Sequence, residues 1–203
     1  MDNFSTFNFY AIQFMEDHNN QFEEFENHAE YVKFWPRAGA YILDGILVGI
    51  FSASLNVLNI TNFKSFSFYL IVLIIGALYK PYLEYKYGAT LGKMMLKMRV
   101  TDYNHHPISF DRSLIRSMFL IGPSLLYIPI YYFAFNNPNI EEVNGFLEFS
   151  QFLSQEYPVQ GLIAILVYII LIVEIVVLLT DSTKTQRSLH DQFAKTYVIY
   201  DRR

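Results

Sequence analysis

Four long blocks almost free of charge decide what this chain can fold into. A helix that crosses about 30 Å of hydrocarbon needs roughly 20 mostly apolar residues, and the blocks at about 38–58, 66–85, 117–135 and 159–179 reach that length. No water is present in a bilayer core, so a spanning segment must satisfy its own backbone N–H and C=O groups, and an α-helix does this alone. The expected fold is an all-α membrane protein: a four-transmembrane-helix bundle. The third block contains Pro123 and Pro129. Prolines are tolerated in a membrane helix, where neighbours re-satisfy the freed carbonyls, but a re-entrant segment stays open as the alternative there.

Composition matters for what it excludes. The chain has no cysteine, which removes disulfides, thiolate metal sites and cysteine nucleophiles. A formal net charge of −4, with no basic face over a soluble core, gives no nucleic-acid footprint. Residues 1–32 hold seven acids and no Lys or Arg, unlike the basic start of a secretory signal.

Orientation follows from Lys and Arg in the short loops. Segment 86–116 carries Lys86, Lys93, Lys97, Arg99, Arg112 and Arg116, and segment 180–203 carries Lys184, Arg187, Lys195, Arg202 and Arg203. Loop 59–65 has only Lys64, and loop 136–158 has Glu141, Glu142, Glu148 and Glu156 with no Lys or Arg. The expectation is a multi-pass protein of the cytoplasmic (inner) membrane with both termini cytoplasmic. Phe34, Trp35, Tyr82, Tyr85, Tyr87, Tyr131 and Tyr132 fall where an interfacial aromatic belt would lie.

Three parts are distinguished: an acidic, aromatic N-terminal segment over 1–36, a membrane domain over 37–200, and a basic end at 201–203. Within the first, Phe22, Phe25, Ala29 and Val32 recur at helical spacing and predict an amphipathic helix over 21–35. Its acids suit docking on protein better than on anionic lipid; a simple lead-in to the first span is the plainer reading. Residues 88–97 predict a short helix, and 109–116 open with a Ser cap and an early acid, a helix start. The β-prone runs 98–102 and 196–200 are expected to pair as a small two-stranded β cap on the cytoplasmic side.

Ionisable residues inside a span are costly, so each marks a candidate functional site. Asp44, Lys80 and Glu174 lie in three different helices, each about 7–10 Å from the expected cytoplasmic ends at 1.5 Å per residue. Lys80 can bridge the two carboxylates, leaving surplus negative charge for a cation or proton; snorkelling of Lys80 and Glu174 to the interface is the structural alternative. Gly45, Gly49 and Ala53 form a small-residue face that suits close helix packing, or less simply a pore wall.

No enzyme motif survives inspection, and no cofactor or metal site is expected. Gly88, Gly92 and Lys93 sit one residue short of a phosphate loop, with Met94 in place of its Ser or Thr. Ser188, His190 and Asp191 are chain neighbours and cannot form a nucleophilic triad unaided. His105 and His106 are not at metal-ligand spacing. Asn59-Ile-Thr61 is a formal glycosylation sequon.

The run from Arg37 to Asp44, the segment through Thr90, Gly92, Lys93 and Arg99, and the tail with Arg187, His190 and Asp191 resemble three ordered motifs of the RDD family of membrane proteins. The resemblance maps Arg37, Asp44 and Asp191 onto the residues for which that family is named, and Thr90, Gly92, Lys93, Arg99 and His190 onto the surrounding pattern. It does not extend to Lys80 or Glu174, nor to the N-terminus and loop 136–158. For function it implies a proposed role in transport, including cation/proton exchange in some members. Arg37 and Asp191 are expected to pair at the cytoplasmic face, which makes Asp191 structural and leaves Asp44 as the better ion ligand. Two functions compete: a module, homo-oligomeric if it transports, that binds or moves a cation or proton through Asp44, Lys80 and Glu174; or a non-catalytic subunit or scaffold whose partner docks on residues 1–35 or span one.

Overall fold

The structure is a computed structural model and describes Gln13, residues 30–183 and residues 185–201. Four helical segments are long and apolar enough to cross a membrane: Phe34–Phe63, Phe66–Tyr87, Phe110–Phe135 and Val159–Thr180. The first is α1 (Phe34–Leu58), continued by a π-turn over Asn59–Phe63. Pro36 is accommodated in its first turn, where backbone N–H groups have no partner inside the helix. Lys64 then adopts the left-handed region, with φ of 45°, and reverses the chain into α2 (Phe66–Tyr87). Ser65 caps α2 by accepting from the Phe68 amide, and Gly88 ends it with φ of 74°. Left-handed φ favours glycine because it has no Cβ to clash.

The π-turn removes the sequon from consideration. Asn59 is 0% exposed, and its amide both donates to the Ser65 carbonyl and accepts from the Ser65 N–H, each at 3.0 Å. A side chain that closes a turn from within is not presented to solvent.

Beyond Gly88 come α3 (Leu91–Met95) and β1 (Met98–Asp102). The third spanning segment is α4 (Phe110–Leu125) followed by α5 (Tyr127–Phe135), broken at Leu126. The helix start expected at Ser109 is present, and the helix it opens runs on into the apolar block, so the third segment begins at Phe110 and not at about 117. The break falls one turn before Pro129, whose ring clashes with the preceding turn and whose nitrogen offers no donor. Both prolines are thus held within one helical segment, Phe110–Phe135, interrupted at Leu126.

Loop 136–158 contains a 3-10 turn (Pro138–Glu142) and α6 (Phe146–Glu156). Phe149, Phe152 and Leu153 of α6 pack with Ile60, Tyr69, Ile130 and Phe135 into one of the two buried apolar clusters. Tyr69 and Tyr131 stack there, with ring centroids 4.2 Å apart. The last span, α7 (Val159–Thr180), leads into α8 (Leu189–Ala194) and β2 (Thr196–Tyr200).

β1 and β2 pair antiparallel over the expected residues, from Met98 opposite Tyr200 to Asp102 opposite Thr196. Tyr31 bridges to Ile199 on the other edge of β2, and the Val32 amide donates to the Val198 carbonyl at 3.0 Å. Val32, Ala40, Met98, Val100, Ile108 and Val198 form the second cluster, seating the sheet against the start of α1. Of the helix expected over 21–35, residues 21–29 lie outside the described part. Residues 30–33 are extended rather than helical, because their backbone is drawn to the β2 edge.

Candidate functional site at the sheet end of the bundle

The polar site is built where the spans meet the sheet. Asp44, about one turn further along α1 than the sheet-packed Ala40, faces α3. Its Oδ1 accepts from the Tyr79 hydroxyl and the Gly92 amide, both at 2.8 Å, and its Oδ2 accepts from the Thr90 hydroxyl at 2.6 Å. Tyr79 in turn accepts from the Leu91 amide at 3.3 Å. Asp44 therefore satisfies the start of α3 from a different helix, as a capping carboxylate does. The approach is close enough that a Cβ on Gly92 would overlap the Ala40 carbonyl and lie 3.0 Å from the Asp44 Cγ. Only glycine fits there.

A chain of ion pairs lies beside it. Arg116, 1% exposed, donates through Nε to Glu84 at 2.9 Å and through Nη1 to Asp191 and Thr196. Glu84, 0% exposed, also receives Lys93. Asp191, 0% exposed, also receives Arg37 at 2.5 Å; Arg37 further donates to the Val32 carbonyl. Asp191 reaches back to Ser188 as well, accepting from its N–H at 3.1 Å and its hydroxyl at 2.9 Å. Burial alone would raise the Asp191 carboxyl, but Arg116 and Arg37 outweigh it and hold the group well below the usual carboxylate range. Breaking such a buried pair by removing one partner is far costlier than losing a surface pair.

Glu174 takes a different partner. Its carboxylate accepts from the His190 amide at 3.2 Å and meets His190 Nδ1 at 2.9 Å. These two side chains are 15% and 24% exposed, more open than the ion pairs beside them. Burial and nearby Lys80 push the His190 imidazole below its ordinary range, against the pull of Asp191 and Glu174. His190 Nε2 lies 3.6 Å from Asp191, which connects the pair to the buried chain of ion pairs around Arg116, the lock at this end.

The three residues expected to form one cluster thus sit in one region with separate partners. Lys80 does not bridge Asp44 and Glu174; its ammonium donates to the Arg116 carbonyl at 3.3 Å. The physical reason is competition: neutral donors from Tyr79, Thr90 and Gly92 already fill Asp44, and the tail helix supplies His190 to Glu174. Arg37 and Asp191 meet as expected. A Cβ at Gly45 or Gly49 would meet nothing within 4 Å, so among the described residues no neighbour packs on these two positions of α1. Arg99 lies in β1 on the sheet. Sequence reasoning missed Tyr79, and missed Glu84 and Arg116 as site residues. The usable signal was Lys80 and Glu84 at i and i+4, one helix face inside a span.

These features define a multi-pass membrane protein whose four helices are joined at one end by buried charge. The chain belongs to the RDD family, whose model matches residues 31–195. No curated protein and no solved structure is detectably similar to it.

Proposed function

We propose that the protein is a proton-linked membrane module, binding or moving a proton, with or without a cation, through the charged network at its sheet end. One observation carries the reading: all four spans contribute an ionisable side chain to a single connected network, whose most open pair is Glu174 and His190. A buried ionic network adds little stability over apolar packing, so its presence in a membrane protein points to function. Asp44 and Asp191 are filled by donors and hold the structure together. Glu174 and His190 are the pair left to exchange protons with water. The Lys and Arg distribution supports a cytoplasmic location for this end and for both termini.

The test is flux in proteoliposomes carrying an internal pH dye, with sodium or potassium gradients imposed. Glu174→Gln is expected to abolish proton movement that the unaltered protein supports. No proton flux in the unaltered protein, or undiminished flux in the variant, would overturn the reading.

A second reading, a scaffold or subunit of a larger membrane complex, is favoured by the open Gly45 and Gly49 face, which lets another helix approach closely. Native mass spectrometry after gentle extraction distinguishes them. A co-purifying membrane protein that is lost in Gly49→Leu supports the scaffold, whereas a homo-oligomer or monomer alone counts against it.

A further inference from the structure

The lock contains one cation that differs from the rest. Arg37 pairs with Asp191, Arg116 with both Asp191 and Glu84, and Lys93 with Glu84. Lys80 makes no ion pair among the described residues; it donates a hydrogen bond to the Arg116 backbone carbonyl at 3.3 Å. An ammonium carries three donors and no acceptor, so one long bond leaves it poorly matched. Glu84 lies one helical turn away on the same face, but Lys93 and Arg116 occupy its two oxygens. Lys80 is half-buried, and the charged groups that act on it come from four elements: Glu84 of α2, Lys93 of α3, Arg116 of α4, and Asp191 and His190 of α8.

Consider which member of the network can change charge without dismantling it. The arginines do not release protons in proteins. Lys93 could do so only by breaking its pair with Glu84. Protonating Asp191 or Glu84 would break the lock outright. A neutral amine at Lys80 leaves every ion pair standing. Resting on the proton-linked reading above, we infer that Lys80 is the group on which the exchanged proton resides, with His190 and Glu174 as its route to water. In the transfer, the Lys80 N–H bond breaks and its electron pair stays on nitrogen. A new N–H bond forms at His190 Nε2, while Nδ1 passes its own proton to the Glu174 Oε2 it already meets. The carboxylic acid then releases that proton to water, and no other species is consumed.

The experiment uses the full chain in nanodiscs, with lysine labelled in carbon and nitrogen, and the Lys80 signal identified by its loss in Lys80→Arg. The side-chain signal is expected to change protonation state over the pH range in which flux in matched proteoliposomes turns on. Both Lys80→Arg and Lys80→Met should lower that flux about 100-fold or more, the scale of a lost positioned proton-transfer group. Their unfolding midpoints should stay near that of the unaltered protein, since no ion pair is lost. An ammonium signal unchanged across the range, or flux retained in Lys80→Arg, overturns the assignment. Flux lost in Glu174→Gln but kept in Lys80→Arg overturns it while sustaining the proton-linked function. Titration of Lys80 without any flux in the unaltered protein does the reverse.

Discussion

Asp44 sits in an apolar helix without a cationic partner because three neutral donors solvate it in place of water. That arrangement makes a graded prediction. Asp44→Ala leaves the Tyr79 and Thr90 hydroxyls and the Gly92 amide short of an acceptor, and should cost about 2–4 kcal/mol, a large share of one unsatisfied donor each. Asp44→Asn keeps one acceptor oxygen and can reverse the Thr90 bond, so the loss should be about 1 kcal/mol. Thermal unfolding in detergent ranks the two, and equal losses would refute the capping role. His190 and Asp191 set the response to acid. Both have folded values below their unfolded ones, near 6.5 and 3.9. The stability each gives is complete above the unfolded value and is lost as pH falls toward the folded one. The unfolding midpoint should therefore drop on acidification from about pH 8 to about pH 5, first through His190. In His190→Gln the part of that drop around pH 6 should disappear; a midpoint that rises on acidification would contradict the sign.

At the scale of elements, the π-turn depends on one amide. Asn59→Ala removes two bonds from a buried turn and should cost about 1–3 kcal/mol, read as a lowered unfolding midpoint; an unchanged midpoint would mean that Lys64 and the turn backbone suffice. The strands were legible because β1 and β2 are short alternating runs whose residues state their own preference. The span cores were legible for the same reason, as long apolar blocks. The bounds of the third helix were not, since Arg112 and Arg116 read as loop charges, and only the partners of Arg116 are buried. Helix α6 has its apolar residues at helical spacing, Phe149 with Phe152 and Leu153, but Glu148 and Glu156 on the same short run give it the charge pattern of an exposed loop. Glu84 and Arg116 were hidden by non-locality. Whether a charge is paired depends on residues 32 and 75 positions apart along the chain, and local pattern carries no trace of that.

For the whole molecule, the two ends are closed by different physics. Aromatic packing under α6 closes one; ion pairs beneath the sheet close the other. The proposed orientation is testable directly because the chain contains no cysteine. In intact cells, Asn144→Cys should react with a membrane-impermeant maleimide and Lys97→Cys only after permeabilisation. The opposite labelling pattern would invert the topology.

The lock also orders how the protein can be made. Arg116 and Glu84 are synthesised early, with the second and third apolar helices, yet the carboxylate that completes Arg116 lies on α8 and its hydroxyl partner on β2. Arg37 waits for the same Asp191. Until the ribosome has passed those positions, a nascent chain holds guanidinium groups near lipid with half their counter-charge missing. Folding must then finish from the last segments backward, as β2 slots between Tyr31 and β1. A chain released before residue 191 would keep its four apolar helices but lack the carboxylate that joins Arg37 to Arg116.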